Sequence, residues 1–564
     1  MTPQELLLAG QDALNRGDFA EAVATFTELT RLAPNATVAW CGRSAAYFGA
    51  EDYAKALAAA HRARELSPGD QRALLVLGPA AFISAEQAMI DACRRQLAEL
   101  PKDAALSTAQ FWVSRLTEKD YFIEASLAFE AFALGHLDDT TVALELTHHY
   151  LNAFRVDDAI AILDGLIARG VRDARIEALY ARGFVTKGEI EKAKTAAQKA
   201  IDIDRDCVAG YVMIAEIDPS LITPSIDAHL SSLIERGDIS RDNKIVALLA
   251  LGRAREKRGE FDTAFSAFKQ ANESAAAALA QSGLVYDRRV REANVAETIV
   301  RYSAPSAPRC DRSSTQGNIF IIGMPRSGST LIDQALSRHS SISSVGESRI
   351  IPSIANQATR TADADGRTFR DAISDFKASY EAAYGAAADG AQIVIDKNLF
   401  NFEHCGLITD LDPNARFIVA LREPADIALS IFKIRFLAAM PWSNDLGDIA
   451  HMQASFEHLV DHWLRTMGDR IHLVKHEEFV ADFEAGVRNL LDFCGLEFEP
   501  QCLAFHEGDR RVYTTSASQV RRPINADGVG RWKQYERHLG SYFQSLEDSR
   551  RCFANQLQSP RRNH

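Results

Sequence analysis

The chain has 564 residues, 47% hydrophobic and 25% charged, an ordinary soluble composition that is too long for one hydrophobic core. Its formal net charge of −13 argues against non-specific nucleic-acid binding. Eight scattered cysteines with no C-x-x-C suggest neither a zinc site nor a disulfide framework, and read as free thiols in a reducing compartment.

Met1-Thr2-Pro3-Gln4-Glu5 lacks the basic stretch and apolar run of a signal peptide. No apolar run approaches the ~18 residues of a membrane span. The expectation is a cytoplasmic protein without a membrane span.

From the N-terminus, Phe19 and Tyr53 lie 34 residues apart, as do Ala22 and Ala56, and Pro34 and Pro68. Gly17-Asp18-Phe19-Ala20-Glu21-Ala22 aligns on Glu51-Asp52-Tyr53-Ala54-Lys55-Ala56. The phase returns at Tyr121, at Val156 and Ile190, at Ala159 and Ala193, and at Gly259-Glu260-Phe261 with Ala264. It is poor between 205 and 245. Small residues let paired helices approach, the aromatic plugs the gap, and proline ends the second helix. The pattern resembles the tetratricopeptide repeat. The resemblance implies an all-α solenoid over residues 1–275. Such an array is either a spacer or oligomerisation surface, or a concave groove for a protein or peptide. Residues 276–316 read as a helical connector and linker, with Ser303 to Gly317 rich in Ser, Pro and charge.

Residues 317–545 read as an α/β domain, with 546–564 as a C-terminal tail. Strands are predicted at 319–322, 392–397, 416–422 and 470–475. Helices are predicted at about 329–338, 370–386, 403–411, 424–437 and 448–467. Strands alternating with helices indicate a parallel sheet covered on both faces. Ligands bind beyond the carboxyl ends of such strands, and Gly323 to Thr330, Lys397 and Arg422 all stand there.

The first strand runs into Gly323-Met324-Pro325-Arg326-Ser327-Gly328-Ser329-Thr330. Two glycines and a free helix N-terminus make an anion cradle. The spacing Gly323-x4-Gly328 is that of a phosphate-binding P-loop. A nucleotide kinase or ATPase would need a lysine directly after the second glycine, and Ser329 stands there instead. Arg326 is the basic group inside the loop.

Pro325 to Thr330 resembles the loop with which sulfotransferases hold the 5′-phosphosulfate of 3′-phosphoadenosine 5′-phosphosulfate. The resemblance covers roughly 317–535 and is greatest to the protein-tyrosine sulfotransferase type. It implies that Arg326, Ser327, Gly328, Ser329 and Thr330 bind the donor. It implies that Glu347, in Gly346-Glu347-Ser348-Arg349, is the general base and that Arg349 lines the acceptor site. Lys397 would reach the sulfuryl group, and Arg422 with Ser430 would hold the 3′-phosphate. Ser516 would touch the reacting group, and Arg531, just before Trp532, would reach the 3′-phosphate.

The product would be adenosine 3′,5′-bisphosphate, with no obligatory metal. The sequence departs from the protein-tyrosine type in two places. Lys475-His476 stands where an aromatic pair serves adenine. Ile434 stands where a second arginine is expected, with Lys433 or Arg435 as substitutes. A P-loop nucleotide kinase and a non-catalytic repeat scaffold with a relict nucleotide-binding domain are the alternative readings.

Overall fold

The computed structural model describes residues 1–303, 317–436, 440–505, 524 and 526–556. The chain divides into two compact units, Met1–Gly210 and Tyr211–His564.

The first unit is a run of helical hairpins. Pro3–Arg16 pairs with Phe19–Leu32, Thr37–Gly49 with Tyr53–Leu66, and Gln71–Ile83 is followed by Gln87–Glu99. Further hairpins run to Ala174–Lys187 with Ile190–Ile203. The first helices of the three opening hairpins begin at Pro3, Thr37 and Gln71, 34 residues apart, which is the tetratricopeptide period.

Asp18 and Asp52 cap the second helices of their hairpins, each accepting a backbone N–H three residues on. Ala22 and Ala56 are wholly buried. Phe26 fills the space left by Gly10 and Gly42, where added β-carbons would stand 2.7 and 2.2 Å from its ring. Burying such a ring contributes roughly 2–3 kcal/mol.

The second unit is built on a five-stranded parallel sheet. Its strands are β1 (Ile319–Gly323), β2 (Ile342–Gly346), β3 (Ile393–Asp396), β4 (Arg416–Leu421) and β5 (Ile471–Lys475). The order is β2-β3-β1-β4-β5, so the connections reverse direction at β1. In open sheets that reversal is where ligands bind.

Successive β1 side chains point to opposite faces. Phe320 and Ile322 enter one buried cluster, and Ile319 and Ile321 enter another. The helix Leu446–Met467 packs on the first face. Ser329–Leu336 and Phe483–Cys494 cover the second.

β2 was not expected from the sequence. It is an edge strand that pairs with β3 alone, and most of its residues are only partly buried. A strand reading Ile-Ser-Ser-Val-Gly lacks the continuous apolar run that marked the central strands.

Two boundaries differ from expectation. The compact units meet at Gly210 and Tyr211 rather than at 275. The helices Arg241–Lys257, Phe261–Gln281 and Arg288–Arg301 bury Leu248, Phe268 and Val295 in the same core as Phe320. Asn272 Nδ2 donates to the Phe432 carbonyl at 2.7 Å, and the buried Arg291 donates to Ser455 and Glu403.

At the other end, Gly540–Gln556 is a helix packed on Leu446–Met467, not a tail from 546. Its Tyr542, Leu546 and Phe553 are buried, and Tyr542 OH donates to Gln453 Oε1 at 2.6 Å. Among the described residues no helix is long and apolar enough to cross a membrane. The seven described cysteines form no disulfide.

Candidate active site

Each of the five strands delivers one polar or backbone element of the site at its carboxyl end. β1 ends in Gly323 and the loop through Gly328. Glu347 follows β2, Lys397 follows β3, Arg422 follows β4 and His476 follows β5.

The loop turns through backbone that few residues tolerate. Arg326 has φ 70° and Gly328 φ 94°. Gly328 caps the helix Ser329–Leu336 without a side-chain hydrogen bond, and a helix N-terminus of this kind favours an anion. A β-carbon on Gly328 would stand 2.4 Å from His476 Nδ1. Burial, with the Arg422 charge beside it, pushes the His476 imidazole down to about 4. The ring against the loop is therefore neutral at physiological pH.

Arg326 Nε donates to Ser430 Oγ at 2.9 Å, so the loop arginine meets the helix Pro424–Phe432, whereas the sequence reading pairs Ser430 with Arg422. Arg422 Nη1 donates to the Arg326 carbonyl at 3.0 Å, and Nη2 donates to the Gly528 carbonyl. Burial lowers the Arg326 guanidinium to about 10, with the charges of Arg422 and Arg253 adding to the effect. Burial also lowers Arg422. Ser327 Oγ and Arg422 Nε are buried without a hydrogen-bond partner among the described residues. Buried polar atoms of that kind keep a hydrogen-bonding capacity that a bound group or water can fill. Ser329 and Thr330, at the helix start, are buried.

Lys397 is 2% exposed, yet its ammonium donates to Glu347 Oε1 at 2.5 Å. Asn398 Nδ2 donates to the Ser348 carbonyl at 2.7 Å, tying the ends of β2 and β3 together. Beneath them Asp396 accepts from Tyr384 OH at 2.6 Å, Asn398 N–H at 2.8 Å and Asn401 Nδ2 at 3.2 Å. Its burial raises the carboxyl to about 6. Arg349 is half-buried at the cap of the helix Ile350–Asp365, two residues beyond Glu347.

Arg531 is an exposed side chain whose Nε donates to the Asp527 carbonyl at 2.6 Å. Its Nη1 lies 4.0 Å from Glu256 Oε1, while the Gly528 carbonyl accepts from Arg422. The docking residue is the buried Asp426, which accepts from Gly530 N–H at 2.6 Å and Trp532 N–H at 2.9 Å.

Ser516 lies outside the described residues, as do the neighbouring Gln519, Val520, Pro523 and Asn525 of the same motif. Lys433, one substitute for the missing arginine, is paired with Glu256 Oε1 at 2.5 Å and sits 4.6 Å from the Tyr535 ring centre. Arg435, the other, pairs with Asp242 at 2.8 Å.

Sequence reading named His476 only as a departure at the adenine position, not as a neighbour of the loop, and missed Asp426 and the contribution of Arg253 and Glu256 from a helix of the first half. Asp426 had a local signal, an acid in the first turn of the helix after Glu423-Pro424. The helix residues carry none, because only folding brings them near.

Residues 318–500 match the sequence model of the sulfotransferase family. An uncharacterised protein of Aquifex aeolicus (strain VF5) is 28% identical over 64% of this chain and 48% of its own length. Protein-tyrosine sulfotransferase A of Caenorhabditis elegans is 25% identical over 38% of this chain and 60% of its own length. The sulfotransferase domain from the curacin biosynthetic pathway is 18% identical and covers 43% of this chain and 98% of its own, with a TM-score of 0.31. The chain thus spans about half the length of the curated relatives it matches. The second half of this protein is a sulfotransferase-family domain over residues 318–500, preceded by a tetratricopeptide-like helical array.

Proposed function

We propose that the chain transfers a sulfuryl group from 3′-phosphoadenosine 5′-phosphosulfate to a hydroxyl acceptor. The observation that carries this is the meeting of two cationic sites at the strand ends. One is Arg326, bonded to Ser430 beside the N-terminus of the helix Ser329–Leu336; the other is Arg422, bonded to the Arg326 carbonyl. A bis-anionic nucleotide needs both, and the buried Ser327 Oγ and Arg422 Nε suit its oxyanions.

When bound, the donor supplies an electrophilic sulfur and a bisphosphate leaving group. Glu347 takes the proton of the acceptor hydroxyl as its oxygen bonds to sulfur. The bond from sulfur to the bridging oxygen breaks, and Arg326, Lys397 and the N–H groups after Gly328 hold the charge left there. Ser516 would join them. Arg422 and Ser430 hold the 3′-phosphate, and Asp426 fixes the segment around Gly530 that adjoins Arg422. Arg349 and the exposed side of Glu347 face the acceptor in this reading. A sulfuryl group carries less charge than a phosphoryl group, so no obligatory metal is required. The acceptor is a protein tyrosine, by similarity to the relatives named for that activity. The array then binds the protein or peptide that carries it, in a cytoplasmic setting. Ser329 in the position of the P-loop lysine disfavours an ATP-dependent kinase.

Thermal unfolding with adenosine 3′,5′-bisphosphate, against ATP with magnesium, tests the donor. The bisphosphate at a hundred times its Kd stabilises by about 2.7 kcal/mol. Stabilisation by ATP with magnesium and none by the bisphosphate overturns the reading.

A further inference from the structure

Glu347 follows the least secured strand of the sheet. β2 lies at the edge and pairs with β3 alone, and its register shifts between Ser344 and Gly346. The glutamate side chain is itself exposed, so burial does little to fix it. A general base, by contrast, must be held to a fraction of an ångström.

Three bonds from the end of β3 bracket this residue. Lys397 N–H donates to the Gly346 carbonyl at 2.8 Å, one residue before it. Asn398 Nδ2 donates to the Ser348 carbonyl at 2.7 Å, one residue after it. Lys397 Nζ holds the carboxylate.

Asn398 is fixed in turn. Its backbone N–H donates to the buried Asp396 at 2.8 Å. Its Oδ1 accepts from Phe400 N–H at 3.2 Å, capping the short 3-10 helix Leu399–Glu403. That helix is anchored by Trp463 Nε1, which donates to the Phe402 carbonyl at 2.8 Å. Asp396 is held by Tyr384 OH and Asn401 Nδ2. With its backbone and its Oδ1 both bonded, the Asn398 amide has one orientation, and its N–H points at Ser348.

We propose that Asn398 is a positioning residue for the base, acting on Glu347 through the Ser348 carbonyl, an inference that rests on the sulfotransferase reading. It exchanges no proton and carries no charge. It holds the loop after β2 so that the carboxylate stays where an acceptor hydroxyl meets the sulfuryl group.

The test compares Asn398→Asp, Glu347→Gln and the double variant with the wild type, all as full chains. Asp caps a helix about as well as Asn, so Asn398→Asp keeps the acceptor toward Phe400 and loses the donor toward Ser348. Transfer from labelled donor to a synthetic tyrosine peptide falls roughly tenfold to a hundredfold in kcat. The KM for the donor and the calorimetric Kd for adenosine 3′,5′-bisphosphate stay within about twofold, because the group displaced does not bind the nucleotide. In the Glu347→Gln background the same change costs less than about twofold, since the group it positions is gone. Independently of any acceptor, the crystal structure of Asn398→Asp shows the Glu347 carboxylate displaced from Lys397 by about 1 Å or more. A retained contact overturns the inference, as does a wild-type kcat, which leaves Asn398 a helix cap. So does a loss of bisphosphate affinity as large as the loss of kcat, or an undiminished loss in the Glu347→Gln background. A wild type that does not bind the bisphosphate overturns the sulfotransferase reading as well.

Discussion

Lys397 Nζ donates to Glu347 Oε1 at 2.5 Å, although the lysine side chain is 2% exposed and the glutamate side chain 55% exposed. The pair joins a buried cation to a carboxylate open to solvent. Its two halves differ in what their removal leaves behind.

Removing Glu347 strands a buried ammonium, while removing Lys397 leaves a carboxylate that water can reach. Glu347→Ala is expected to cost about 1–2 kcal/mol of stability after allowing for the carboxylate's exposure, and Lys397→Met close to none. Urea unfolding measures both. Glu347→Gln is expected to lower transfer from labelled donor by roughly 10²–10⁴-fold while leaving adenosine 3′,5′-bisphosphate binding intact. Unchanged transfer by Glu347→Gln would remove it as the base.

Gly328→Ala meets two separate obstacles. The backbone is left-handed at φ 94°, and the new methyl would stand 2.4 Å from His476 Nδ1. The backbone alone costs about 1–2 kcal/mol. The single variant is expected to lose bisphosphate binding. Adding His476→Ala relieves the contact but not the backbone, so the double variant recovers part of the stability. A double variant no more stable than Gly328→Ala would show that the imidazole does not wall the loop.

Asp396 gives stability a pH dependence of definite sign. Burial raises its carboxyl from 3.8 to about 6 in the folded protein. As pH rises between those values the unfolded chain releases a proton that the folded one keeps. The stabilising contribution is complete below the lower value and lost above the upper, about 3 kcal/mol in all. His476, depressed to about 4, acts in the opposite direction, losing stability as pH falls. The difference between wild type and Asp396→Asn therefore isolates the aspartate. That difference is expected to shift against the wild type from pH 4 to pH 6.5, and a constant difference would contradict the raised carboxyl.

The boundary at Gly210 and Tyr211 can be cut. A chain beginning at Cys207 keeps every helix that shares a core with β1 and is expected to unfold cooperatively and bind adenosine 3′,5′-bisphosphate. A chain beginning at Gly317 loses Leu248, Phe265, Phe268 and Val295 from that core. It is expected to aggregate or to melt well below the longer chain. Equal melting of the two would place the helices 211–301 outside the catalytic unit.

The elements most legible in the sequence were those with a local signal. The 34-residue period announced the first hairpins because each repeat places Phe19 or Tyr53 at the start of its second helix. β1, β3 and β4 showed as continuous apolar runs because both their faces are covered. β2 did not, since an edge strand need bury little. The helix Ile350–Asp365 was passed over beside the loop that carries Glu347.

In the site, Arg326, Lys397, Arg422 and Ser430 were readable because each stands in a contiguous motif. The structure brings Arg326 to Ser430 and Lys397 to Glu347. Arg531 lies 4.0 Å from Glu256, and the Gly528 carbonyl accepts from Arg422. Arg253 and Glu256 were invisible, since nothing within a helix of the array signals what will fold against it.

Arg326 occupies backbone at φ 70°, a conformation that favours glycine. Holding an arginine there costs about 1–2 kcal/mol that a glycine would not. The position thus sets thermal robustness against the charge of the loop. Variants chosen only for resistance to heat would drift toward glycine at 326, and such a screen would breed a sturdier protein with its buried loop cation gone.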